Sequence, residues 1–265
     1  MTAHAPPARP TRKMLNKVPE VTVFFWIIKV LATTVGETAA DYLSVDLGFG
    51  LTATTYVMSA LLAVVLVAQF STRRYTPWIY WLAVVLLSIV GTLITDNLVD
   101  HFGVSLETTT TLFSIALAVT FAVWYASEKT LSIHTIYTTK REAFYWLAIL
   151  WTFALGTAAG DLLAERLALG YFKSAIMFGA IIALVYLAWR FANLNEILAF
   201  WVAYILTRPL GASLGDYLSQ PKADGGRGLG TTTTSFIFLA AIFAVVVYLT
   251  RTKRDQPVVS RAESR

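Results

Sequence analysis

The stretch WIIKVLATTVGETAAD (residues 26–41) sets a frame: Trp26, then Gly36 ten residues on, then Asp41 five later. The frame returns as WLAVVLLSIVGTLITD (81–96), WLAILWTFALGTAAGD (146–161) and WVAYILTRPLGASLGD (201–216). Its landmarks are Trp81, Gly91 and Asp96; Trp146, Gly156 and Asp161; Trp201, Gly211 and Asp216. Copies one and three lie 120 residues apart, as do copies two and four. Repetition at a fixed period decides architecture before any local reading does. Each copy opens an apolar helix that a second one follows, so the chain reads as four helical hairpins in two halves, 22–127 and 143–250.

Composition says what solvent these helices meet. Apolar residues make up 57% of the chain and charged residues 14%, against about 25% charged in an average soluble domain. Eight stretches are long and apolar enough for a hydrocarbon layer about 30 Å thick: about 22–42, 52–71, 77–99, 109–127, 143–164, 174–191, 195–217 and 231–250. The expectation is an all-α, eight-span membrane bundle with the lipid bilayer as its first partner. Residues 1–21 are rich in Pro and basic residues and read as a disordered tail, not a signal peptide. Residues 251–265 read as a second basic tail, able to attract anionic lipid.

Charge sets the topology. Fifteen Lys and Arg fall in segments on the N-terminal side of the membrane and four on the other: Arg166, Lys173, Lys222 and Arg227. Positive residues stay cytoplasmic, which puts both termini inside. Two-helix units preserve orientation, so the repeats are parallel about an axis along the membrane normal. The 127–142 link, the longest on the cytoplasmic side, is the boundary between the halves.

These hairpins, each with its Trp, resemble the bacterial membrane-protein family built from four tandem repeats of two transmembrane segments with a characteristic tryptophan. KVPEVTVFFWIIKVLATTVGETAADYLS (17–44) is similar to that family's first repeat. The resemblance spans about residues 17–250. It implies the fold and a bacterial inner-membrane location, and it carries no activity or site.

Within the frame, Trp26, Trp81, Trp146 and Trp201 sit near the cytoplasmic end of their helices, where an interfacial anchor and helix-packing element is expected. Each Gly is followed four residues later by a small residue: Gly36/Ala40, Gly91/Thr95, Gly156/Gly160 and Gly211/Gly215. That spacing lets helix backbones approach closely in lipid. The returning helices begin with Thr clusters at 52–55, 108–111 and 231–234. These read first as amide caps and second as oxygen ligands.

The four Asp residues lie at helix C-termini, where the macrodipole disfavours an anion. Three carry a second carboxylate four residues away: Glu37/Asp41, Asp96/Asp100 and Asp161/Glu165. Like charges so spaced repel unless a cation or proton sits between them. Solvated helix ends are the plain alternative. Counting back in fours gives stripes down one face: Lys29, Thr33, Glu37, Asp41; Val84, Ser88, Thr92, Asp96; Ile149, Phe153, Thr157, Asp161; Tyr204, Arg208, Ala212, Asp216. If the halves pack about a pseudo-twofold axis, the stripes converge on a central polar cavity.

Lys29, Glu37 and Arg208 are the intramembrane charges and must face the interior. Lys29 alone is close enough to the helix start to snorkel. Arg208 precedes Pro209, which is expected to kink its helix. The stripes sum to two positive and five negative charges, or −3, a balance that favours cations. Carboxylates and hydroxyls without Cys suit hard cations or protons. No cofactor and no enzymatic dyad are expected. The leading reading is a transporter or channel for a small cation. The alternative is a non-transporting structural, sensory or partner-binding membrane protein, in which Lys29 or Arg208 closes on Glu37.

Overall fold

The computed structural model describes residues 16–166 and 169–256, with side chains for all but 165 and 166. The tail residues 1–15 and 257–265, and the Glu165 side chain expected to extend Asp161, lie outside the described part. Eight helices follow one another: α1 (Val23–Asp41), α2 (Leu51–Ser71), α3 (Pro77–Asp96), α4 (Leu106–Glu128), α5 (Thr139–Asp161), α6 (Tyr171–Phe191), α7 (Glu196–Ser219) and α8 (Thr231–Thr252). All eight are long and apolar enough to span a bilayer, and no strand occurs among the described residues. The chain is an all-helical, multi-pass membrane protein. Helix boundaries fall within a few residues of the sequence expectation.

Odd and even helices have different duties. The odd helices are largely buried and the even ones largely exposed. Contacts run α1 to α3, α3 to α5, α5 to α7, and α7 back to α1. This is a closed inner ring of four. Each even helix packs on the odd helix of the next repeat: α2 on α3, α4 on α5, α6 on α7, and α8 on α1. Because α8 returns to α1, the repeats close on themselves, and the two halves are each two neighbouring quarters of one ring. Exposed apolar side chains such as Leu61, Val64, Leu184 and Phe243 coat the outer helices, as a lipid-facing surface requires.

The repeat glycines make the ring possible. A Cβ on Gly36 would strike Ser88 of α3; on Gly91, Phe153 of α5; on Gly156, Arg208 of α7; on Gly211, Thr33 of α1. Every struck residue lies three positions before its own helix's Gly. The four contacts are thus one contact repeated cyclically, each odd helix seating the next in a slot only glycine leaves open. Of the two partners open to these faces, another odd helix or the hairpin mate, the glycines meet the odd helix.

Trp81, Trp146 and Trp201 are buried and Trp26 is half-exposed, so the frame indoles serve as the expected packing elements more than as interfacial anchors. They tile an aromatic layer with Phe25, Tyr80, Tyr145, Phe200 and Tyr204 at centroid separations of about 5–6 Å, within the favourable range for ring pairs. Their neighbours on the inner ring, not the lipid interface, claim the indoles. The Thr clusters do not cap: α2 and α8 start after Gly50 and Gly230, at φ 75° and 80°, without a side-chain cap. The hydroxyls of Thr55, Thr111 and Thr234 bond carbonyls four residues back in their own chain.

The tail boundary also moves. Lys17 and Val18 are buried beneath the bundle, where Lys17 meets Glu142 at 2.6 Å and the Phe70 carbonyl at 3.0 Å. Glu142 also accepts from Gln69 at 3.1 Å. Nearby, the Glu20 amide bonds the Asp255 carbonyl at 2.9 Å, and Tyr75 donates to the Asp255 carboxylate. Burial and that carboxylate push the Tyr75 hydroxyl's pKa well above its usual value. The segments around Lys17–Glu20 and Asp255 therefore lie together on one face.

Candidate functional site

The four polar stripes do converge, one layer per stripe position. The first three of the four repeats place their Asp at the last α-helical turn and then widen into a single π-turn: Tyr42–Asp46, Asn97–His101 and Leu162–Arg166. Such turns break the regular ladder and recur at functional sites. In the fourth repeat α7 stays regular to Ser219 and carries Asp216 within it.

At this face the carboxylates of Glu37 and Asp41 from α1 and Asp216 from α7 each offer an oxygen within 4.8 Å of the others. Asp96 ends α3 and Asp161 ends α5 at the positions equivalent to Asp41 of α1. Glu37 and Asp216 are buried, while Asp41, Asp96 and Asp161 remain partly exposed, so the group forms a mouth open on one side. Asp100 is exposed at its rim.

Arg208 lies one layer deeper, fully buried. Its Nη2 donates to Glu37 Oε2 at 2.7 Å, to Thr157 Oγ1 at 2.7 Å and to Thr92 Oγ1. Its Nη1 donates to the Thr33 carbonyl at 3.1 Å, and its Nε has no partner. Glu37, Thr92 and Thr157 all directly follow the repeat glycine. One guanidinium thus takes the equivalent oxygen from each of the three other repeats. Thr92 and Thr157 were visible in the stripes yet not singled out; their register with Glu37 was the available signal. Charge-assisted bonds of this kind are about twice as strong as neutral ones.

Lys29 occupies the next layer. It is fully buried, so it does not snorkel. Its Nζ lies 4.2 Å from the Phe153 ring centroid and 4.1 Å from that of Tyr204, and it has no hydrogen-bond partner. Two aromatic faces cradle the ammonium, and α1 is too deeply enclosed by the ring for the side chain to reach the interface. Of the two basic candidates for pairing with Glu37, Arg208 takes it. Pro209 does not interrupt α7; it packs against Gly156 and Gly160 of α5, where a Cβ would lie 3.0 and 3.4 Å from it.

The axis therefore reads, from the carboxylate face inward, as an acidic mouth, a guanidinium bound by oxygens, an ammonium between rings, and an aromatic layer. Below it, Tyr80 and Tyr145 share a hydroxyl–hydroxyl bond, and the Lys17–Glu142 pair closes the face where the Lys17–Glu20 and Asp255 segments meet. Arg208, Phe153, Lys29 and Tyr204, all fully buried, fill the axis where a central cavity was expected.

The family model described as "Repeat of Unknown Function (DUF347)" matches four segments: residues 24–75, 79–130, 144–194 and 199–255. Each match covers one odd–even helix pair, so the family repeat and the structural repeat coincide. No curated protein and no solved structure matches the chain.

Proposed function

The chain belongs to this four-repeat DUF347 family, and we propose that it binds a small hard cation at the acidic mouth and carries it across the membrane. The observation that supports this is the meeting of Glu37, Asp41 and Asp216 from two repeats within 4.8 Å. Oxygen-only groups of this kind suit Mg²⁺, Ca²⁺, Mn²⁺ or a coupled proton. Three carboxylates so close repel one another unless a cation or protons offset them. The Lys and Arg asymmetry of the loops orients the mouth outward and both chain ends to the cytoplasm, in keeping with a bacterial inner membrane.

In this arrangement the Arg208 guanidinium and the Lys29 side chain, both fully buried, fill the axis between the mouth and the opposite face and hold the path shut to a cation. A second reading rests on the same residues: Arg208 held by Glu37, Thr92, Thr157 and the Thr33 carbonyl serves equally well as a permanent polar knot in a non-transporting structural, sensory or partner-binding protein.

Flux into liposomes separates the two. Purified protein is reconstituted and uptake of Mg²⁺, Ca²⁺, Mn²⁺ and protons is followed. Transport predicts specific uptake that Asp41→Asn and Glu37→Gln abolish. Uptake no greater than in empty liposomes, or uptake unchanged in both variants, overturns the proposal.

A further inference from the structure

Arg208 behaves as a bound ion would. Its Nη2 sits among a carboxylate and two hydroxyl oxygens from α1, α3 and α5, and its Nη1 on a carbonyl of α1. The three side-chain ligands occupy one register position on three helices. In the fourth repeat that position is Ala212, which offers no oxygen, and the guanidinium enters from the same repeat, one turn earlier. The side chain stands where a ligand is missing. It also leaves its own Nε unpaired in a fully buried setting, a penalty that a fixed structural arginine avoids. Glu37 belongs both to this cage and to the acidic mouth.

We infer that the oxygen cage of Glu37, Thr92, Thr157 and the Thr33 carbonyl is a cation site in its own right, occupied by a cation tethered to the protein. Arg208 is then an internal competitor. A cation that engages Glu37 from the mouth weakens the hold on the guanidinium, and the guanidinium must leave before a free cation takes its place. The ligand class is a small monovalent cation of guanidinium or alkali type, since the cage carries a single carboxylate. This gate deepens the transport reading, but the site itself is testable without transport.

The probe is methylguanidinium, which restores the missing headgroup without the tether. Thermal unfolding of the full chain in detergent is followed for wild type, Arg208→Ala and Arg208→Ala/Glu37→Gln at rising probe concentrations in the low millimolar range. The expected result is a lowered midpoint in Arg208→Ala that climbs with the logarithm of probe concentration, as ligand linkage requires. Wild type, whose cage is full, shows no such climb, and neither does the double variant. No climb in Arg208→Ala, or an equal climb in all three proteins, overturns the inference. If Arg208→Ala yields no folded protein, Thr92→Val/Thr157→Val decides: with two of the cage oxygens gone, K⁺ leak through reconstituted protein should rise above wild type, and an unchanged leak overturns the gate. Rescue by methylguanidinium alongside zero flux of divalent cations, protons and K⁺ would keep the cage and discard the transport reading.

Discussion

Arg208 and Glu37 stand 171 residues apart in the chain and 2.7 Å apart at the bundle axis. The bond crosses from the last repeat to the first and fastens the ring where its two ends meet. A buried charge that loses its partner typically destabilises a protein by about 3–5 kcal/mol. Glu37→Gln should therefore lower unfolding stability in detergent by roughly that amount. Asp100→Asn, at an exposed position, should change it by less than about 0.5 kcal/mol. Equal effects would mean that the pair does not hold the ring.

The glycine slots make a sharper test of the cyclic packing. Gly36→Ala, Gly91→Ala, Gly156→Ala and Gly211→Ala each push a methyl into the neighbouring odd helix, with an expected loss of about 1–3 kcal/mol apiece from overpacking. Gly179 of α6 is the control, since a Cβ there meets only Leu210 at 4.0 Å. Gly179→Ala should be neutral or stabilising by up to about 1 kcal/mol through helix propensity. Chemical denaturation of the five variants would decide it, and a loss at Gly179 matching the others would count against the slots.

Lys29 gives a prediction of opposite sign. Its ammonium has two rings but no acceptor, so replacing it with an apolar side chain of similar length removes a desolvated charge. Lys29→Met should raise stability by about 1–4 kcal/mol, by analogy with apolar replacement of other buried charges. A fall in the midpoint would show that the cation–ring contacts outweigh burial.

Where the Lys17–Glu20 and Asp255 segments meet, Lys17 and Glu142 form a buried pair. Lys17→Met or Glu142→Gln alone should each be costly, by about 3–5 kcal/mol, and the double replacement much less so. Limited proteolysis should cut residues 16–22 faster in either single variant. Additive losses in the double-mutant cycle would deny the coupling.

The Trp–Gly–Asp frame carried most of the fold in its spacing, because a ten-and-five register on a helix fixes which residues share a face. The stripes drawn from it became the axial layers. The swap of each even helix onto the next odd helix left no mark, since α2, α4, α6 and α8 are apolar almost all round and point no single face at a neighbour. Whether Trp81, Trp146 and Trp201 anchor at the interface or pack inside was not legible for a related reason: a Trp near a helix end has the same composition signature whether its ring turns to lipid or to the core. Lys17 was hidden in a basic tail, because only its three-dimensional meeting with Glu142 distinguishes it from the other N-terminal cations. Thr92 and Thr157 looked ordinary until Arg208 supplied the charge that uses them.

The claim at the centre is that acidic side chains from separate repeats form one cation-binding mouth. Its most direct test is the thermal midpoint of the full chain titrated with Mg²⁺, Ca²⁺ and Mn²⁺, for wild type and for Asp41→Asn/Asp216→Asn. A ligand that binds only the folded state stabilises it by about 2.7 kcal/mol at one hundred times its dissociation constant. The account predicts a rise in wild type with at least one of these ions and a flat response in the double variant. A wild-type midpoint indifferent to all three, or a double variant that rises just as far, would contradict it.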